Sequence, residues 1–382
     1  MRVLQICKTS VGASWALRQM RELVKLGVEV HAVLPPGGPL LPKYEECGVT
    51  VHTLACDLPV KQPWRLFEIV SKLRQIVDQV EPDVIHSHFV GTSLVMRLAL
   101  GKKHPTPRIF QVPGPLHLEH SFFRWLEISS AGDQDSWVAS CEWTRACYKA
   151  SGIQDERLFL SYYGTDVDRF VPIRTGKLRR EKGLSDNTKI IGIVAYMYAP
   201  KYYIGQTRGL KGHEDLIDAV EICLKGGLDA ALVFVGGAWG NRTAYEKRVR
   251  DYGERRLGDR MICLGTRRDV IELYSEMDVA VHPSHSENCG GAVESLLLGV
   301  PTIATNVGGF PDLVIDGVTG WLVPPRDPPK LAEAILEVIS DSKRSMEMAE
   351  EGRKRTSHTF DIRRNAREIY DVYEQLVSRN QS

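Results

Sequence analysis

Residues 279–305 read VAVHPSHSENCGGAVESLLLGVPTIAT, and this stretch decides the fold. Val279–His282 is an apolar run of strand length. A polar loop follows, then Gly290 and Gly291. Ala292–Leu298 has the apolar spacing of a helix, and Gly299 stops it. Pro301 then opens a second apolar run, Thr302–Ala304. Strand, loop, helix and strand make a unit whose two strands lie parallel.

The same alternation extends in both directions. Upstream lie strand candidates Lys189–Ala195, Ala231–Val235 and Met261–Leu264, and downstream Trp321–Val323. Helical spacing covers Asp215–Leu224, Thr243–Arg255, Asp269–Ser275 and Lys330–Ile339. An earlier series runs Val3–Cys7, Val28–Leu34, Val49–Leu54, Asp83–His86, Arg108–Val112, Trp137–Ala139 and Leu158–Tyr162. Its clearest helices are Ser14–Leu26, stopped by Gly27, and Trp64–Val80, preceded by Pro63. The pattern weakens between Asp166 and Ser185, which is rich in charge. The expected architecture is α/β, with two doubly wound Rossmann-like domains of parallel strands covered on both faces. The expected boundaries are 1–168, 169–360 and a closing helix in 361–382 that returns to the first domain. Ligands of such sheets bind outside the carboxyl ends of the strands, so the expected site lies in an interdomain cleft.

Composition narrows the function classes. The 382 residues carry 43% hydrophobic and 25% charged side chains with a formal net charge of +1. That is ordinary globular composition and does not suit a basic nucleic-acid binder. The eight cysteines form no C-x-x-C pair and no zinc spacing, so they read as reduced core residues of a cytoplasmic protein. The opening residues read as a first strand rather than a leader, and no apolar stretch approaches the length that spans a bilayer. Membrane contact is therefore expected to be peripheral, at the inner face. Trp64, Arg65 and Phe67, or Phe122, Phe123, Arg124 and Trp125, would supply it; core packing is the plainer account of both groups.

The chemistry concentrates around Gly290 and Gly291. Glycines at a helix start let a ligand approach the backbone, and the free N–H groups favour an anion there. Glu287 precedes that turn and Glu294 stands in the first helical turn. Two carboxylates beside an anion site suit hydroxyl groups rather than the anion itself. A diphosphate between two polyols is a nucleotide sugar. The plainer account is a helix cap at Glu287 and Asn288 with a dipole-favoured Glu294.

The segment resembles the E-x7-E signature of retaining family-four glycosyltransferases of the GT-B fold. The flanking text agrees: His282-Pro-Ser before it, and GVPTIATNVGGFPDLVIDGVTGWLVPP at residues 299–325 after it. One residue is missing, since six rather than seven separate Glu287 from Glu294. The resemblance implies that Glu287 meets the donor sugar and Glu294 the ribose, with Asn288, Cys289, Gly290 and Gly291 lining the donor site. It implies that Lys211, in Arg208-Gly-Leu-Lys211-Gly-His, neutralises the donor diphosphate. Its usual arginine partner is replaced by Ala195-Tyr196, and Arg208, ahead of Lys201, is the substitute. Gly236 and Arg267 end strands whose loops cradle the base in the family; ordinary turns account for them equally well. Gly12 stands in the family's phosphate-side loop. The Asp83-Val-Ile-His86-Ser-His88 strand end also matches.

Relatives carry a catalytic histidine before a glycine where this chain has Pro113-Gly114, so His117, or else His120, is the candidate for that role. Asp133-Gln-Asp135 and Asp166-Val-Asp168 have D-x-D spacing but read as a turn and as the interdomain linker, so no metal and no cofactor is expected. The implied activity is transfer of a hexose from a UDP- or GDP-linked donor to a hydroxyl of a glycan, lipid-linked or small-molecule acceptor. Retention of configuration is implied, without a metal. A nucleotide-sugar epimerase and a non-catalytic nucleotide-sugar-binding protein are the alternatives.

Overall fold

The computed structural model describes residues 1–111, 113–202 and 205–381. Val112, expected to end a strand, lies outside them. The chain forms two compact units, Met1–Asp166 with Thr359–Ser382, and Val167–His358. The divisions fall two residues before the expected 168/169 and 360/361.

The first unit holds seven parallel strands: β1 (Arg2–Ile6), β2 (Glu29–Leu34), β3 (Thr50–Thr53), β4 (Val84–Ser87), β5 (Arg108–Gln111), β6 (Asp135–Ala139) and β7 (Leu158–Leu160). Their order is β3-β2-β1-β4-β5-β6-β7. The connecting helices are α1 (Ser14–Lys25), α2 (Leu41–Glu46), α3 (Arg65–Val80), α4 (Val90–Leu100), α5 (Ser121–Ser129) and α6 (Glu142–Ala150).

The second unit begins with α7 (Lys177–Lys182) and β8 (Lys189–Val194), then α8 (His213–Lys225) and β9 (Ala230–Val235). It continues with α9 (Thr243–Leu257), β10 (Met261–Cys263), α10 (Val270–Ser275), β11 (Val279–His282) and α11 (Gly290–Leu297). Then come β12 (Thr302–Thr305), α12 (Phe310–Leu313), β13 (Trp321–Val323), α13 (Pro328–Ser340) and α14 (Ser342–Thr359). The strand order is β10-β9-β8-β11-β12-β13, all parallel. The closing helix α15 (Ile362–Gln381) packs on the first unit, where Ile369, Val372, Tyr373 and Leu376 join the core beside α1 and β1.

Each sheet is buried on both faces, which is why its strands are near-continuous apolar runs. One face of the first sheet is covered by α1, α2 and α15 and the other by α3 and α4. In the second unit Ile191, Ile193, Leu232 and Val281 face α8, α9 and α13, while Ile190, Ala231, Val233 and Ala280 face away from them.

The first unit buries a polar cluster at the carboxyl ends of its central strands. His86 Nδ1 lies 2.6 Å from the Tyr373 hydroxyl, and His88 Nε2 lies 2.7 Å from Gln5 Oε1. The two imidazoles stack with centroids 4.2 Å apart. Burial lowers His86 from 6.5 to about 3, and burial with the His86 charge also holds His88 well below its usual range. Both are neutral in the folded state, whereas the unfolded chain protonates them below about pH 6.5. Stability should therefore be lost as pH falls from 6.5 towards 3. At pH 4.5 His86 alone accounts for about 2–3 kcal/mol. Thermal scans from pH 7 to 4.5 should show a shallower loss for His86→Gln than for the wild type. An unchanged slope would assign the acid sensitivity to other groups.

Candidate active site in the second unit

The order β10-β9-β8-β11-β12-β13 places a switch point between β8 and β11. The chain leaves β8 towards β9 on one side and leaves β11 towards β12 on the other. Loops that diverge in this way open a crevice at the strand ends, where ligands of open α/β sheets bind. A cavity of about 290 Å³ lies there. Its lining includes Tyr196 and Tyr198 after β8, His282 and Ser284 at and after β11, and Lys211, Glu287, Gly290 and Gly291.

Two glycines bring these segments together. At Gly212 φ is +69° and a Cβ would lie 1.9 Å from the Pro283 carbonyl oxygen. Only glycine lets the Lys211 segment lie against the loop after β11. Gly308, with φ of +51°, has the same relation to Glu287, whose carbonyl oxygen would be 1.8 Å from a Cβ. The GVPTIATNVGG text thus supports the loop that carries Glu287.

Lys211 donates to Glu287 Oε2, and the two side chains are 17% and 13% exposed. Ser284 Oγ donates to the same oxygen at 3.5 Å, and the Asn288 N–H donates to Oε1 at 3.2 Å. The Lys211 ammonium also stands 5.8 Å from the centre of the Tyr198 ring. In this state the cavity's cation is neutralised by its carboxylate. An anion placed at Lys211 would compete with Glu287 for the ammonium.

His282 is a neutral component of the wall. Its Nε2 lies 2.9 Å from Ser295 Oγ, and burial, aided by the Lys211 charge, lowers it to about 3. It cannot serve as a proton donor near pH 7. Helix α11 starts at Gly290 rather than at the expected Ala292, so the two glycines are its first turn. Glu294 therefore stands in the second turn rather than the first. It is half-buried beside Tyr274, whose hydroxyl is raised by burial and then by the Glu294 charge.

The remaining donor-side candidates divide. Asn288 Oδ1 is buried without a hydrogen-bond partner among the described residues, which suits a ligand donor. Cys289 is 1% exposed and its thiol donates to the Gly309 carbonyl at 3.3 Å, so its side chain faces inward. Gly236 closes β9 with its N–H bonded to the Gly265 carbonyl at 2.8 Å.

Arg208 is not brought to the cavity. Its guanidinium is bound by Asp215 and by Asp218 at 2.7 Å, and Asp215 also holds His285 at 2.5 Å. Arg267 bonds Asp269 at 2.8 Å and does not line the cavity either. Among the described residues, Lys211 is thus the one Lys or Arg side chain in the lining.

In the first unit, Gly12 lies exposed in the loop before α1. His117 ends a short turn, Pro115–His117, with its ring 5.7 Å from Phe110 and Nε2 3.2 Å from the Tyr148 hydroxyl. Burial lowers it to about 4, so it is neutral near pH 7. A larger groove of about 450 Å³, lined by Arg124, Trp125, Ile128 and Ala150 among others, holds no carboxylate and no glycine turn. No group of three or more metal-binding side chains occurs among the described residues. No helix among them is long and apolar enough to cross a membrane.

Sequence reading did not single out Tyr196, Tyr198, His282 and Ser284 as lining residues. The signal for the tyrosines was present: Tyr196-Met197-Tyr198 continues the period-two alternation past the end of β8.

Known proteins agree with this architecture. Residues 201–355 match the family Glycosyl transferases group 1, and residues 12–164 match the Glycosyl transferase 4-like domain. The lipopolysaccharide core biosynthesis mannosyltransferase LpsB of Rhizobium meliloti is 28% identical over 220 residues, 56% of this chain and 60% of the relative. The D-inositol 3-phosphate glycosyltransferase of Corynebacterium kroppenstedtii is 30% identical over 224 residues, 56% of this chain and 47% of the relative. The matched part thus spans about half the length of these curated relatives. Among solved structures, HepE of Anabaena in complex with UDP superimposes with a TM-score of 0.81 at 22% identity, covering 98% of this chain and 100% of that one. Sucrose-phosphate synthase of Thermosynechococcus elongatus gives 0.80 at 19% identity, covering 99% and 100%. The chain is therefore similar to the Glycosyl transferase 4-like domain over its first unit and to Glycosyl transferases group 1 over its second, on the GT-B fold.

Proposed function

We propose that the protein is a glycosyltransferase that moves a hexose from a UDP- or GDP-linked donor to an acceptor hydroxyl, with retention of configuration. The observation that carries this reading is the Lys211–Glu287 pair at the switch-point cavity, beside the glycine start of α11. The ammonium and the α11 N–H groups suit a diphosphate. Glu287 suits the hexose hydroxyls, and Glu294 the ribose. Departure of the nucleoside diphosphate builds negative charge near Lys211 and positive charge on the sugar near Glu287. Groups placed for both charges favour the transition state over the ground state. Same-face attack assisted by the leaving diphosphate is the preferred route.

The named relatives are a lipopolysaccharide core biosynthesis mannosyltransferase and a D-inositol 3-phosphate glycosyltransferase. A polyol or glycan hydroxyl is the acceptor class this supports. The epimerase alternative draws no support from these matches. Release of UDP or GDP from sugar nucleotides, with and without acceptor extracts, tests the reading. Acceptor-dependent release supports it; binding without release in any extract leaves a nucleotide-sugar-binding protein.

Glu294 provides a separate test of donor binding. Glu294→Gln keeps the size but removes the charge that strengthens bonds from the ribose hydroxyls. Such charge-assisted bonds are worth about 1.5–3 kcal/mol. Affinity for UDP or GDP should fall by roughly ten- to a hundredfold with the melting temperature unchanged. Unaltered affinity by calorimetry would remove Glu294 from the site.

A further inference from the structure

Beyond β8 the chain stays extended. The Met197 N–H donates to the Gly237 carbonyl at 2.8 Å, and the Trp239 N–H donates to the Met197 carbonyl at 3.1 Å. An isolated parallel bridge joins Met197 to Ala238. Side chains alternate along such a segment. Met197 is 1% exposed in the core, and Tyr196 and Tyr198 both line the cavity with Lys211 and Glu287. Trp239 stacks on Tyr198 at 5.2 Å and 25°, and meets Tyr196 at 5.3 Å and 65°.

The three rings have different work. Tyr198 is occupied by Trp239 and by the Lys211 ammonium, and burial with the Glu287 charge pushes its hydroxyl up to about 12. Trp239 braces both tyrosines. Tyr196 remains 41% exposed at the cavity. An aromatic face carries partial negative charge and attracts polarised C–H groups and developing cations. The groups around it are a carboxylate, an ammonium and a hydroxyl, which suit a polyol ring rather than a base. The cavity that Tyr196 lines has a volume of about 290 Å³.

From this geometry we infer that Tyr196 is a specificity-determining residue that stacks on the pyranose ring of the donor, with Trp239 as its positioning residue. The inference rests on the donor reading above. It separates sugar recognition from nucleotide recognition within one cavity.

Calorimetry on the full chain with UDP, UDP-glucose, GDP and GDP-mannose tests it. The readout is the ratio of the sugar-nucleotide Kd to the bare-nucleotide Kd, for whichever base binds. Tyr196→Ala should leave the bare-nucleotide Kd within about twofold and raise the ratio roughly three- to tenfold. Tyr196→Phe should keep the wild-type ratio. Trp239→Ala should raise the ratio less, and Trp239→Phe should restore it. An unchanged ratio in Tyr196→Ala overturns the stacking role. So does equal weakening of both ligands, which would place the base on the ring. A wild type that binds none of the four ligands overturns the donor reading itself, so the two failures are distinguished by whether the wild type or the variant departs.

Discussion

Glu287→Ala is expected to cut kcat by about a hundredfold or more while leaving UDP or GDP affinity within about threefold, or tighter. The factor corresponds to about 2.7 kcal/mol at the barrier. In the proposed donor complex the carboxylate meets the sugar, and its contacts strengthen as positive charge develops on the transferred ring. Its loss should not weaken the bare nucleotide, because Glu287 holds Lys211 in the unliganded state. Removing that internal competitor leaves the ammonium ready for phosphate. Steady-state kinetics and calorimetry on the same preparation check both halves. A near-normal kcat would place the sugar-facing carboxylate elsewhere. A tenfold loss of nucleotide affinity would mean that Glu287 positions Lys211 rather than competing for it. Glu287→Gln, which keeps a hydrogen-bonding group, should fall between wild type and alanine in kcat.

The sequence made the strands legible because both sheets are buried on both faces. Val279–His282 and Trp321–Val323 coincide with the expected runs, and the ends of the other strands differ from them by two residues at most. Helix α14 was not legible. Its buried positions are Ser345, Met348, Ala349, Gly352 and Thr356, spaced three and four apart. That stripe is one of small size rather than hydrophobicity. A Cβ at Gly352 would lie 2.8 Å from Leu296 and 2.9 Å from the Thr319 carbonyl oxygen, so close packing replaced apolar bulk there. The start of α11 was misplaced for a related reason. Glycine disfavours a helix interior, yet at an N-terminus it opens the N–H groups to a ligand.

Lys211, Glu287, Gly290 and Gly291 were legible together because their motifs sit at strand-end loops, which the topology gathers at one switch point. Arg208 lies outside the cavity lining because its partners are tertiary and local at once. Asp215 and Asp218 lie seven and ten residues later, on a helix whose packing decides which way the arginine turns. Residue type and proximity in the chain could not separate a phosphate ligand from a clamp on α8. The tyrosine wall was hidden behind the same gap: the position that suggested a missing arginine carries Tyr196, which supplies a ring and not a charge.

Lys211→Met should lower kcat/KM by on the order of a hundred- to a thousandfold, the usual cost of removing one group placed for transition-state charge. Methionine keeps an unbranched stem beside the Tyr198 ring but carries no charge. Among the described residues, Lys211 is the Lys or Arg that lines the cavity. Arg208 is held by Asp215 and Asp218, Arg267 by Asp269, and His282 is neutral at pH 7 because burial lowers it to about 3. The loss should track the phosphates. The affinity advantage of UDP over uridine, or of GDP over guanosine, should shrink in the variant, while nucleoside binding stays level. Arg208→Met should do the opposite, lowering the melting temperature by removing the guanidinium from the buried Asp215 while sparing the diphosphate increment. Because Lys211 and Glu287 are paired, the double variant should lose less than the product of the single losses. A Lys211→Met enzyme within about fivefold of wild type would show that another group neutralises the leaving diphosphate. If Arg208→Met then erased the diphosphate increment, the arginine must leave its two aspartates when donor binds, and Glu287 would be free of any exchange with Lys211.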